Sequence, residues 1–181
     1  MMLETAIARY ASPTLAFLKP ASLFSVPFEE MDFDVLDFMN RQFHKKDIHF
    51  IVLAKRKTHF LVYVYQKQLL KDTLFKERNR AFLLEHGYLG DGLSTLIDEL
   101  SQRLCDDMPF PHEIGIFLGY PLDDVIGFIE HEGKDALACG TWKVYHNVLH
   151  AEWTFARYRA CTAFYLQKYN SGMDLTEIIY V

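Results

Sequence analysis

Apolar residues recur at two rhythms along the chain, and the changes between them mark its elements. Leu3 to Tyr10 reads as a short amphipathic helix, and a second starts at Ser12-Pro13, where serine can cap and proline suits the first helical turn. Lys19-Pro20 ends it. From Phe33 to His44, the residues Leu36, Met39 and Phe43 share one helical face, closed by Lys45-Lys46-Asp47. The period then shortens to that of a strand. His49 to Ala54 and His59 to Tyr65 are rich in β-branched and aromatic residues, which predicts an antiparallel hairpin turning around Lys55 to Thr58. In its second strand Phe60, Val62 and Val64 face one way while His59, Leu61, Tyr63 and Tyr65 face the other, so both faces call for cover.

Helical spacing returns from Lys67 to His86, with a break near Asp72-Thr73 and with Gly87 suited to a left-handed cap. Leu93, Leu96, Ile97, Leu100 and Leu104 form the stripe of a helix that runs to Cys105, with Asp91 as its available cap, and Pro109 and Pro111 punctuate its exit. Ile114 to Leu118 reads as a short buried strand, Gly119-Tyr120-Pro121 as a turn, and Leu122 to His131 as a helix. Asp123 and Asp124 complement the dipole of that helix, and Gly133 closes its far end. Thr141 to His146 reads as another strand, Val148 to Tyr169 as the longest helix, and Asp174 to Val181 as a last strand. The order predicts a single α+β domain over residues 1–181: a small mixed sheet, made of the hairpin plus a β-α-β unit, covered by several helices. The crossover helix would allow parallel pairing between the third and fourth strands.

With 181 residues, half of them hydrophobic, such a domain should bury roughly 70% of its unfolded surface. A net charge of −5 repels phosphate backbones, so no nucleic-acid partner is expected, and the short run Lys55-Arg56-Lys57 reads as a solvated turn. Cys105, Cys139 and Cys161 include no C-x-x-C pair, so neither a disulfide framework nor a zinc knuckle is indicated and a reducing, cytoplasmic setting is expected. The first residues lack the basic start of an export signal, and no apolar run approaches the ~20 residues that span a bilayer, so no membrane partner is expected.

The phosphate cradle, dinucleotide turn and nucleophile elbow that glycine-rich motifs announce are all missing. His112-Glu113 begins like a helical zinc motif, but Ile116 stands where the second histidine would have to be. His146 and His150 lie four apart and could share a helix face, yet spacing identifies no third ligand, so no metal is expected. The helix start after Gly119-Tyr120-Pro121 could hold an anion, but Asp123 and Asp124 would repel it, and a structural turn is the reading adopted. No carboxylate spacing fixes an acid–base pair. Cys139 beside Gly140 is the most reachable thiol, with nothing nearby in sequence to activate it.

One block is longer and more specific. Phe110-Pro111-His112-Glu113-Ile114-Gly115-Ile116-Phe117-Leu118-Gly119-Tyr120-Pro121-Leu122-Asp123-Asp124-Val125, followed by Gly127-Phe128-Ile129, resembles the signature of domain-of-unknown-function family 3793, found in anaerobic Gram-positive bacteria. Ser12-Pro13-Thr14-Leu15-Ala16, Lys19-Pro20-Ala21-Ser22-Leu23-Phe24, Leu61 to Tyr65 and Gly140-Thr141-Trp142-Lys143-Val144-Tyr145 extend the resemblance over nearly the whole chain. It implies no reaction, cofactor or catalytic residue. It does imply an accessory link to iron, haem or redox metabolism, with a small-molecule ligand or a redox partner protein. Members often carry His-Cys or Tyr-Cys before the Ser-Pro-Thr block, where this chain has Tyr10-Ala11.

Within the resembling blocks, Lys19, Ser22, His112, Glu113, Tyr120, Trp142, Lys143 and Tyr145 are polar or amphipathic residues that a core does not require, and they are the candidate binding residues. His112 and Glu113 precede the predicted strand and Tyr120 follows it, which would place them at opposite sheet edges and in no common site. A His112–Glu113 hydrogen bond anchoring that strand is the structural alternative. The expected function is a non-catalytic binding or accessory protein. The alternatives are an enzyme that uses His112 with Glu113, or Lys19, on a small polar metabolite, and an interaction module built on the aromatic seam of residues 148–169 or on the hairpin edge. Cofactor and oligomeric state are left open.

Overall fold

The computed structural model describes residues 2–104 and 109–180, so Cys105 and Val181, the expected last residues of a helix and a strand, lie outside the described residues. The fold is α+β. Its centre is a three-stranded antiparallel sheet in the order β1-β3-β2, formed by Ala21–Pro27 (β1), Ile48–Lys55 (β2) and His59–Gln66 (β3). The predicted hairpin is β2–β3, with Phe50 opposite Val64 and a bulge between Val52 and Ala54. β1 is not among the strands that periodicity predicts. It pairs with β3 from Ala21 opposite Tyr65 to Pro27 opposite His59, and its proline sits at the end of an edge strand, where no ladder donor is lost.

The alternation along β3 divides the interior in two. Val62 and Val64, with Phe24, Val26 and Phe50, face a core closed by Leu3–Tyr10 (α1), Phe33–Phe43 (α3) and the C-terminal half of Val148–Asn170 (α9). Leu61 and Tyr63, with Leu53, face a second core filled by Lys67–Leu74 (α4), Glu77–Glu85 (α5), Leu93–Arg103 (α6), Ile114–Phe117 (α7) and Leu122–Glu130 (α8). Ser12–Leu15 (α2) follows α1 as expected but ends well before Lys19-Pro20, because the chain reverses at Phe17 with φ +58°. The break between α4 and α5 falls at Phe75-Lys76 rather than Asp72-Thr73, and the cap of α6 is Gly92, whose N–H and carbonyl both bond Thr95 Oγ1, not Asp91.

The expected β-α-β unit is not formed. Residues 114–117 are one helical turn instead of a strand, and no parallel pair occurs among the described residues. Gly119, at φ +78°, ends α7 in the left-handed conformation: its N–H bonds the Ile116 carbonyl at 3.0 Å and the Tyr120 N–H bonds the Gly115 carbonyl at 2.9 Å, the paired closure of a Schellman cap. The buried Tyr63 hydroxyl donates to the Phe117 carbonyl at 2.8 Å, fastening this turn over the sheet. Of the strand expected at 141–146, only Lys143–Val144 (β5) pairs, with Ala138–Cys139 (β4). Residues 174–177 form a turn, and no strand occurs over 174–180.

Candidate functional site

The α7 turn folds the resembling blocks onto one another. A Cβ on Gly119 would come within 2.4 Å of the Pro20 ring, so glycine is what allows the Lys19-Pro20 block to touch the Gly119-Tyr120-Pro121 turn a hundred residues later. Gly115 is equally constrained, since a Cβ there would meet Val125 at 2.7 Å and Tyr120 at 3.2 Å. These close approaches stack α7, Tyr120 and the start of α8 beside the β4–β5 ribbon. Between them lies a cavity of about 350 Å³.

The ribbon is held by one buried carboxylate. Asp124 Oδ2 accepts the Trp142 indole N–H at 2.8 Å, and Oδ1 accepts the backbone N–H groups of Tyr145 at 2.8 Å and His146 at 3.0 Å. The sequence reading treats Asp124 as a charge for the helix dipole. Its 4% exposure and three donors make it the knot that ties α8 to the ribbon. Trp142, so oriented, lies 4.5 Å from Phe155 and 5.2 Å from Tyr120, ring centre to ring centre. The cavity has an apolar floor of Leu23, Ile114, Leu118 and Val125 and aromatic walls from Tyr120, Phe128 and Trp142. Its mouth carries exposed His112, Cys139, Thr141 and Lys143. Lys143 is anchored there, its ammonium donating to the Gly133 carbonyl at 2.6 Å and lying 5.8 Å from the Phe128 ring centre.

Four of the eight candidate residues, His112, Tyr120, Trp142 and Lys143, thus line one cavity. His112 and Tyr120 were expected at opposite ends of a strand and in no common site; because the strand is a helical turn, they face each other across the same opening. Glu113 turns the other way. It is buried, accepts the Tyr88 hydroxyl at 3.0 Å and lies 3.3 Å from Arg103, whose guanidinium also serves the carbonyls of His86 and Gly87, so the expected His112–Glu113 bond is not formed. Ser22 faces the opposite side of the sheet from Leu23 and shares a 2.8 Å hydrogen bond with Thr14. Tyr145 packs against Gly127 and stacks on His131, with its buried hydroxyl unpaired among the described residues.

Lys19 sits behind the first cavity. It is 7% exposed, its ammonium lies 5.6 Å from the Tyr120 ring centre and 5.7 Å from that of Tyr158, and burial pushes its pKa down to about 8. Among the described residues no group of three or more His, Cys, Asp or Glu side chains could hold a metal ion. Cys139 is exposed, whereas Cys161 is buried, which raises its thiol to about 12. No helix among the described residues is long and apolar enough to cross a membrane. Asp124, Leu23 and Phe128 are the site residues that sequence reasoning passes over. The one signal for them is that all three fall inside the resembling blocks.

A family model described as a protein of unknown function (DUF3793) matches residues 7–179. Among the curated proteins and the solved structures, none matches the chain.

Proposed function

The chain belongs to the DUF3793 family of unknown function, and from that premise we propose that it is a non-catalytic binding protein for a small, flat, largely apolar molecule that carries an anionic group. The observation behind this reading is the cavity of about 350 Å³, apolar at its floor, aromatic in its walls and carrying exposed polar residues at its mouth. Sites for small molecules have this build, and the volume is at the small end of their range of roughly 300–1,000 Å³. Asp124 also borders the cavity, its two oxygens already accepting three hydrogen bonds from the ribbon. Lys143 and His112 at the mouth favour an anionic end on the ligand.

The enzyme reading through His112 and Glu113 loses its geometry, since Glu113 is spent on Tyr88 and Arg103. The iron, haem or redox link, and a redox partner, draw no support from a lining that offers one thiol, one imidazole and one carboxylate already bonded to the ribbon.

The test uses the two tryptophans. In a Trp153→Phe chain, Trp142 is the remaining indole and reports directly on the cavity. Titration with the non-fluorescent quenchers 4-nitrobenzoate and 4-nitrotoluene should give saturable quenching, tighter for the carboxylate. Lys143→Gln should weaken the carboxylate by ~5-fold, about 1 kcal/mol, and leave nitrotoluene unchanged. Quenching that never saturates and equals that of free indole would remove the proposal.

A further inference from the structure

A buried ammonium without a counter-charge is a costly thing for a fold to keep, and Lys19 is one. Proteins ordinarily answer such a charge with a carboxylate or a set of hydrogen bonds. Lys19 has neither among the described residues, only the ring faces of Tyr120 and Tyr158. It lines a second cavity of about 470 Å³, between α1 and α9 and separate from the first except for a shared wall at Thr141. Arg9 comes to the same cavity from α1 and Arg159 from α9, both exposed and both without an ion pair among the described residues. No carboxylate is part of its lining, in a chain whose net charge is −5. The hydroxyl-bearing residues Thr141 and Thr162 add hydrogen-bonding partners.

We infer that this second cavity is a binding site for a small oxyanion, a phosphate or carboxylate group, received by Lys19 at its buried end and by Arg9 and Arg159 at its rim. The three cations line one cavity, brought there by α1, by the segment after α2 and by α9, and the deepest of them, Lys19, is buried beside two aromatic faces. The remaining groups on the packed elements do not compete for the anion. Tyr10 and Tyr158 are the titratable side chains beside the three cations, and burial raises Tyr120 and Tyr158 to about 12, so both stay neutral through the working range. The site is independent of the proposed aromatic-ligand cavity and stands or falls separately.

The pH dependence follows from the buried lysine. An anion stabilises the ammonium and raises its pKa from about 8. Affinity for a carboxylate, whose own charge is constant here, should therefore be level from about pH 6 to that value and fall by up to tenfold per pH unit above it. Calorimetric titration of the full chain at low ionic strength, with inorganic phosphate and with acetate as probes, neither of which has the aromatic ring that the first cavity would take, tests this. One of the two should bind one to one. Phosphate alone would identify a phosphate-type ligand and acetate alone a carboxylate. Lys19→Met should weaken the bound probe at least ~10-fold and Arg159→Gln ~3-fold. Because Arg159 is exposed, its variant tests the site even if replacing Lys19 disturbs the fold. A third readout is the Lys19 side-chain NMR titration, which should move upward when the probe is present. Absence of binding by both probes, equal binding to both variants and the native chain, or a Lys19 titration indifferent to the probe would each overturn the inference.

Discussion

Two cavities meet at Thr141, and each is bordered by one buried charge handled in the opposite way. In the first, Asp124 accepts hydrogen bonds from an indole and two backbone N–H groups, all supplied by the β4–β5 ribbon and the residues just after it. In the second, Lys19 has two aromatic faces and no counter-charge. The contrast teaches that burial alone does not mark a binding group. A buried charge whose partners are all supplied by the fold is part of the frame, whereas one left short of partners is where a ligand gains most. The sharpest way to break the contrast is Asp124→Ala. It strands three donors and should cost about 4 kcal/mol in urea unfolding, while Asp124→Asn, which keeps an acceptor for the two backbone N–H groups, should cost about half as much. A loss below about 1 kcal/mol in the alanine variant would mean that the carboxylate is not the knot, and the distinction between the two cavities would fail.

Lys19→Met should act in the reverse direction. The lysine is held near 8, below its ordinary 10.5, so at pH 7 both folded and unfolded chains carry the proton and the fold bears a penalty on the order of 3 kcal/mol. Between 8 and 10.5 the folded chain has shed that proton while the unfolded chain still holds it, so the penalty fades as pH rises. Methionine removes the penalty and keeps most of the bulk. The variant should therefore be about 2 kcal/mol more stable at pH 7, with the advantage shrinking toward pH 10. Cys161, raised to about 12, works the other way above pH 9, since the unfolded thiol ionises first; it is present in both chains and cancels in their difference. A difference in unfolding free energy that does not change with pH would show that Lys19 is not desolvated as the geometry requires.

The frame was easier to read from the sequence than the sites were, for physical reasons. α3, α6 and α8 announce themselves by an amphipathic period, the β2–β3 hairpin by its β-branched and aromatic residues on either side of a polar turn, and α9 by its length without a breaker. Ile114 to Leu118 does not, because a run of five mostly apolar residues suits a buried strand and a buried helical turn equally. What decides it is Gly119 with Pro121 two residues beyond, a helix-ending pattern whose force lies in the glycine's left-handed backbone. Reading that segment as a strand separated His112 from Tyr120, so the cavity they share could not be foreseen. β1 was lost because Ser22 and Ser25 interrupt its apolar alternation. The inertness of Glu113 and the isolation of Lys19 depend on residues far off in sequence, Tyr88 and Arg103 for one, Tyr120 and Tyr158 for the other. Local pattern carries no trace of either.

The smallest effect tests the seam itself. Tyr120 gives one side of its ring to Trp142 and lies 5.6 Å from the Lys19 ammonium, so it is the element through which the two cavities would sense each other. A double-mutant cycle of Tyr120→Leu with Lys19→Met isolates that contact from the packing each side chain also provides. An ammonium over a ring, partly shielded from water, should give a coupling of about 1 kcal/mol, and Tyr120→Phe, which keeps the ring face, should preserve most of it. Tyr120→Leu should also loosen both 4-nitrobenzoate at the first cavity and the oxyanion probe at the second, since it removes a wall of one and a support of the other. A coupling within experimental error of zero would reduce Tyr120 to filler between two unrelated hollows and leave the Tyr158 ring as the aromatic face beside the charge at Lys19.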